Sequence, residues 1–192
     1  MILSDREIAM MVDAEELIFD PVIIRTGVER QIRSSSVDLR LGYRFRKLRK
    51  STKVPGLEEK IVINPAQIED FDEIMANATE LVEIRDHPYE LEPDPTQVVI
   101  AETLEYISLP MYLAARVEGR SSLARIGVSV HNTAPTIQAG YRGRIALELS
   151  NNGPLTIALE PGRLRICQLV LERVSAPPTE PGGGRFRDRP HI

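Results

Sequence analysis

The 192-residue chain is 42% hydrophobic and 27% charged, ordinary values for a globular protein, and its length suits one domain with a proper core but not two. With 14 prolines, 5% aromatics and a net charge of −4 it reads as a mainly β protein of many short strands, not as a general nucleic-acid binder. The lone Cys167 excludes an internal disulfide and a cysteine-built zinc cage, and points to a reducing, cytoplasmic setting.

Met1-Ile2-Leu3-Ser4-Asp5-Arg6-Glu7 is charged within five residues and does not read as a signal peptide; no apolar run reaches membrane-spanning length. Ser4 and Glu7 have the Ser-x-x-Glu spacing of a capping box, which predicts a helix from Asp5 to Asp13. Asp20-Pro21 ends any helix, Val22-Ile23-Ile24 is a candidate short strand, and 31–43 reads as a loop running into a strand. In Val37-Asp38-Leu39-Arg40-Leu41 the apolar residues share one face and Asp38 and Arg40 the other, where a plain structural ion pair would sit.

Residues 45–53 are basic and read as a strand edge followed by a loop. The acidic 64–77 segment, with Pro65 near its start, reads as a surface insertion holding a short helix. Between Glu58 and Glu105 fourteen acidic residues stand against Lys60 and Arg85, as a solvated face would have them; between Arg116 and Arg165 seven Arg meet three Glu. An anion therefore belongs in the second half. From Tyr89 onward the texture is β: Val98-Val99-Ile100-Ala101, Leu104-Glu105-Tyr106-Ile107-Ser108-Leu109 and Leu113-Ala114-Ala115-Arg116-Val117 are short apolar runs split by turn residues.

Residues 155–159 and 164–174 complete the core around the turn Glu160-Pro161-Gly162, as in a barrel or sandwich. Gln168, between Ile166 and Val170 on an apolar face, needs backbone or ligand partners. Residues 1–176 thus form one domain. The Pro- and Gly-rich 177–192, ending in Arg185-Phe186-Arg187-Asp188-Arg189, is linker-like and either disordered or a lid.

The chemistry concentrates between Glu118 and Glu148. In Gly119-Arg120-Ser121-Ser122-Leu123-Ala124-Arg125-Ile126-Gly127, two guanidinium groups bracket two hydroxyls and a tight turn, a composition that suits a phosphate chain. A short helical turn over 121–125, ended by Gly127, adds backbone N–H groups. In Arg144-Ile145-Ala146-Leu147-Glu148-Leu149-Ser150, a strand pattern puts Ile145, Leu147 and Leu149 on one face and Glu148, beside Ala146, on the other.

The Gly119–Arg125 heptad, His131-Asn132-Thr133-Ala134, Gly140-Tyr141-Arg142-Gly143 and Leu147-Glu148 resemble the dCTP deaminase branch of the dUTPase-like superfamily, as do Leu3-Ser4-Asp5-Arg6-Glu7-Ile8 and Ser35-Ser36-Val37-Asp38-Leu39-Arg40-Leu41-Gly42. The likeness covers most of residues 1–175. It implies a distorted, dUTPase-like β-barrel with an N-terminal helix and one or two short helices. It also implies a homotrimer with active sites between subunits, and places the 35–42 motif near the subunit junction.

The implied activity is metal-free hydrolytic deamination of dCTP to dUTP and ammonia, with Mg²⁺ riding on the triphosphate. Water must attack C4 while a base takes its proton and an acid returns one to the leaving amine; the resemblance gives both tasks to Glu148. Ser121 and the Ala134 carbonyl hold the water, and Arg125 stabilises the developing charge. Arg120, Ser121, Ser122, Leu123, Ala124, Arg125, Gln138, Ala146, Leu147, Glu148 and Gln168 are the implied nucleotide contacts. The His-x-Glu and Pro-Cys-x-x-Cys segments of zinc nucleobase deaminases are missing, and His87, His131 and His191 lie far apart in the chain.

This chain also departs from the family. Gln138 stands where members carry an Asp that meets the sugar 3′-hydroxyl and, in dUTPases, activates the attacking water; Gln hydrogen-bonds but is no base. Pro135-Thr136 replaces a frequent His-Arg pair, and the tail lacks the Tyr and Lys expected beyond Ala176. Two further readings follow: a dUTP diphosphohydrolase or bifunctional enzyme acting on dUTP too, and an inactive nucleotide-binding regulator. The nucleotides implied as partners are dCTP and, after it, dUTP or dTTP.

Overall fold

The computed structural model describes residues 1–48, 71–94 and 96–182. Arg49 to Lys53, the first part of the 64–77 segment with Pro65, and the Arg185-to-Arg189 run lie outside them. In chain order the elements are α1 (Asp5–Asp13), β1 (Ile18–Asp20), β2 (Val37–Leu48), α2 (Phe71–Ala78), β3 (Thr79–Glu83), β4 (Tyr89–Leu91), β5 (Val99–Ser108) and β6 (Leu113–Gly119). There follow α3 (Ser121–Ala124), β7 (Val128–Ser129), β8 (Thr136–Ile137), β9 (Arg142–Asn151), β10 (Ile157–Leu159) and β11 (Arg165–Arg173).

The architecture is mainly β, as expected. Among the described residues one nine-stranded antiparallel sheet runs β7-β9-β5-β2-β11-β6-β8, with β1 added to β5 and β3 to β2, and curls into a half-barrel; β10 and β4 form a separate pair. Period-two alternation makes the concave side. Val37, Leu39 and Leu41 of β2, Leu147 and Leu149 of β9, and Cys167, Leu169 and Leu171 of β11 are wholly buried. Burial also pushes the Cys167 thiol far up, so it stays protonated and behaves as a small apolar side chain.

The N-terminal helix is as predicted. Glu7 N–H donates to Ser4 Oγ (3.4 Å) and Ser4 N–H to Glu7 Oε2 (3.0 Å), while Ile8 and Met11 bury the inner face. The insertion helix is found as α2, in the second half of the predicted 64–77 segment and ending one residue beyond it.

Four expectations are corrected. Val22-Ile23-Ile24 is not a strand: the short strand precedes it at Ile18–Asp20, pairing with Ser108 to Tyr106, and only Ile23 of the three is buried. Residues 45–48 are not a sheet edge, because Phe45 pairs with Val82 on one side and Ala101 on the other. Two supposed strands separated near Glu102-Thr103 are one continuous β5. Its register shifts between Glu102 and Tyr106, and Thr103 Oγ1 donates to the Glu105 carbonyl (2.8 Å) while accepting from Ile145 N–H (3.0 Å). The polar pair thus marks a bulge rather than a turn. Leu155, expected in the core, is exposed.

Candidate active site

β6 runs out at Gly119, and the next residues wind into the single turn of α3. The carbonyl of Arg120 accepts from Leu123 N–H (3.0 Å) and Ala124 N–H (2.9 Å). Leu123 anchors the turn in the core, leaving Ser121, Ser122 and Arg125 exposed. Gly127 then takes φ +94°, and its carbonyl accepts from Asn152 N–H (2.8 Å). A Cβ at Gly127 would lie 2.2 Å from Gly153 N, and one at Gly153 would lie 2.5 Å from the Ile126 carbonyl. Two glycines therefore let the end of α3 sit directly on the turn that follows β9.

β9 carries Glu148. With Leu147 and Leu149 in the core, Glu148 and Ala146 face outward, as the alternation requires. β7 pairs with the end of β9, Ser129 opposite Ser150, so the chain leaving α3 returns alongside Glu148. Asn132 N–H then donates to Glu148 Oε2 (3.1 Å), while His131 buries its Nδ1 without a hydrogen-bond partner among the described residues. Ala134 is two residues further along the same loop. Its neighbour Pro135 gives its carbonyl to Val117 N–H (2.8 Å), which ties the loop down to β6.

The structure thus gathers the α3 turn, the 130–135 loop and Glu148 at one end of β9. Gln138 sits at the other. It precedes the turn at Gly140, its carbonyl accepting from Tyr141 N–H (3.2 Å), and six residues of strand at about 3.3 Å each, roughly 20 Å, separate Arg142 from Glu148. Within one chain Gln138 and Glu148 therefore stand at opposite ends of β9. The tail reaches this turn: Gly182 N–H donates to the Ala139 carbonyl (2.7 Å), and a Cβ on Gly182 would lie 2.1 Å from Gln138 Cβ.

Other expected contacts have their own constraints. Leu123 and Leu147 turn their side chains inward, so a ligand could meet only their main chain. Gln168 lies beside rather than within the apolar face, because a register shift between Arg165 and Cys167 puts Ile166 and Cys167 both inside. Its Oε1 accepts from Ser36 Oγ (3.1 Å) and its Nε2 donates to the Gly119 carbonyl (3.0 Å). Arg120 also turns inward: Nη1 donates to the Arg165 carbonyl (2.9 Å) and Nη2 lies 3.7 Å from Asp38 Oδ2. Asp38 is a structural ion-pair partner, but of Arg33 (Nε at 2.8 Å); Arg40 pairs instead with buried Glu105 (2.8 Å).

Sequence reading missed the Asn132 N–H and the Gly127–Gly153 contact. The first is a backbone donor with no side-chain signature; the second was signalled only by the Asn152-Gly153 dipeptide. Among the described residues no three His, Cys, Asp or Glu side chains converge as a metal site, and no helix is long and apolar enough to cross a membrane.

Residues 2–174 match the family model described as dCTP deaminase-like. The chain is 40% identical over 191 residues, all of this chain and 88% of the other, to a protein of Methanothermobacter thermautotrophicus named dCTP deaminase, dUMP-forming. It is 39% identical over 182 residues, 94% of this chain and 84% of the other, to a Dictyoglomus thermophilum protein of the same name. A crystal structure of 2′-deoxycytidine 5′-triphosphate deaminase from Agrobacterium tumefaciens superimposes with a TM-score of 0.63 at 23% identity over 90% of this chain, which spans 48% of that one.

Proposed function

The chain belongs to the dCTP deaminase-like family, and from that premise we propose that it hydrolyses the exocyclic amine of dCTP to give dUTP and ammonia. The observation that carries this reading is Glu148: a rigid strand carboxylate, held at one oxygen by the Asn132 N–H, beside the loop of Ala134 and the α3 turn. Oε1 has no protein partner among the described residues and is the oxygen that takes a proton from water. The resulting hydroxide adds to C4 as the C4=N3 electron pair moves to N3, which takes that first proton back from Glu148; the carboxylate then takes the hydroxyl proton of the adduct and passes it to the amine, the C4–N4 bond breaks, and ammonia leaves with C4 as a carbonyl and N3 protonated.

Ser121 and the Ala134 carbonyl hold the water in this reading. The Ala134 carbonyl accepts no other hydrogen bond among the described residues. Exposed Arg125 stabilises the charge that develops on the ring, and the N–H groups and hydroxyls of 120–125 take the phosphates. Mg²⁺, bound to the triphosphate, offsets its charge. The working unit is a homotrimer, and the cytoplasm its place.

A second reading is favoured by the names of the relatives: deamination followed by cleavage of the triphosphate to dUMP. Gln138 argues against it, since an amide cannot serve as the base for a second water. Incubation with dCTP separates the two. Ammonia without matching pyrophosphate supports the deaminase, equimolar pyrophosphate the dUMP-forming enzyme, and no ammonia from a protein that binds dCTP refutes both.

A further inference from the structure

We propose that Asp38 is a positioning residue for the nucleotide turn, acting through Arg120 and not by touching the nucleotide; this rests on the reading of 120–125 as the triphosphate site. The three central strands set it up. Asp38 of β2 stands opposite Gln168 of β11, and Gln168 stands opposite Glu118 of β6, one residue before the turn opens. Directly opposed residues share a face, so β2 and β11 side chains lie beneath Gly119 and Arg120.

Each of those two residues is held separately. Gly119 is fixed by its carbonyl, which accepts from Gln168 Nε2, itself oriented by Ser36 Oγ. Arg120 is fixed by its fork: one nitrogen on the Arg165 carbonyl, the other facing Asp38. Asp38 is almost wholly buried and is ringed by three guanidinium groups, Arg33 at 2.8 Å, Arg120 at 3.7 Å and Arg165 at 3.9 Å. Among the described residues it is the one carboxylate keeping these three like charges together. Without it Arg120 is pushed from its neighbours, and the N–H groups and hydroxyls that follow lose their aim. A plain ion pair would support the fold but leave recognition of the phosphates untouched.

The test compares Asp38→Asn, Arg120→Lys and the double variant with wild type, using dCTP and dCMP as substrates. The brace predicts that Asp38→Asn raises KM for dCTP at least about tenfold with kcat changed less than about threefold, and narrows the preference for dCTP over dCMP. Arg120→Lys keeps the charge but loses the fork, and should show the same defect. The double variant should be no worse than the poorer single one. A folded Asp38→Asn protein with wild-type KM, or penalties that multiply, overturns the proposal. If Asp38→Asn does not fold, Arg120→Lys decides: a wild-type KM overturns the brace, because the fork is then dispensable. Should wild type show no preference for dCTP over dCMP, the triphosphate reading fails instead. The two substitutions are then compared in denaturant unfolding, without substrate; additive effects overturn the brace.

Discussion

Gly127→Ala probes the contact that seats the α3 turn against the strand of Glu148. Two effects add. At φ +94° any residue with a Cβ is strained by roughly 1 to 2 kcal/mol. The new Cβ would also lie 2.2 Å from Gly153 N and 2.6 Å from Gly153 Cα. Neither is the end of a flexible side chain: Gly153 N–H donates to Asn151 Oδ1 (3.0 Å), and Asn152 N–H holds Gly127 itself (2.8 Å). Backbone must move, and overpacking of this kind costs about 1 to 3 kcal/mol. Gly27→Ala is the control, since Gly27 has φ +75° but nothing within 4 Å of an added Cβ. In urea unfolding, Gly127→Ala should be less stable than Gly27→Ala by about 1 to 3 kcal/mol, a midpoint shift on the order of 0.5 to 1 M. Deamination should fall on the order of a hundredfold, because an ångström of displacement between Ser121 and Glu148 spoils the geometry of attack. Equal midpoints for the two variants, or full activity in Gly127→Ala, would refute the clamp.

Glu148→Gln keeps an oxygen for the Asn132 N–H and loses only basicity, so dCTP binding should persist while deamination drops at least on the order of a hundredfold; wild-type turnover would remove Glu148 as the base. Gln138→Asp lies a strand's length from Glu148 and should leave deamination within about threefold while raising pyrophosphate release from dUTP. Vigorous release by the unaltered protein would show that Gln138 is misassigned. Tyr141 donates to the Arg144 carbonyl (2.7 Å), and burial pushes its phenol up to about 12. Because the folded-state value is the higher, the stability it confers is complete below pH 10 and fades as pH rises towards 12. Tyr141→Phe should lose about 1 kcal/mol at pH 7 and show a flatter decline across that window in urea unfolding. Tyr89 and Cys167 titrate in the same direction in both proteins, so parallel curves would refute the assignment.

How far the residues alone carried the reading depended on how local each signal was. The capping box, the period-two strand of Glu148 and the one-turn helix closed by Gly127 involve neighbours a few positions apart, and backbone sterics and side-chain alternation set them whatever surrounds them. The likeness of the 119–125 heptad likewise pointed to the family that the whole-chain comparisons show. What failed were features in which a distant segment changes the meaning of a local one. Glu102-Thr103 looks like a turn until β9 supplies partners for a bulge, and residues 45–48 look like an edge until β3 and β5 close on both sides.

The same holds at the candidate site. Sequence alone settled which residue types are present: a strand carboxylate, a turn of hydroxyls and guanidinium groups, and an amide at 138 where a base is expected. Only the tertiary structure decided how they are used. It turned Arg120 inward to Asp38 and the Arg165 carbonyl, gave both ends of Gln168 to protein partners, and put a backbone N–H of residue 132 on Glu148. Hydrogen bonds between groups tens of residues apart depend on strand order and register, and those follow from packing the whole core rather than from any short stretch of chain.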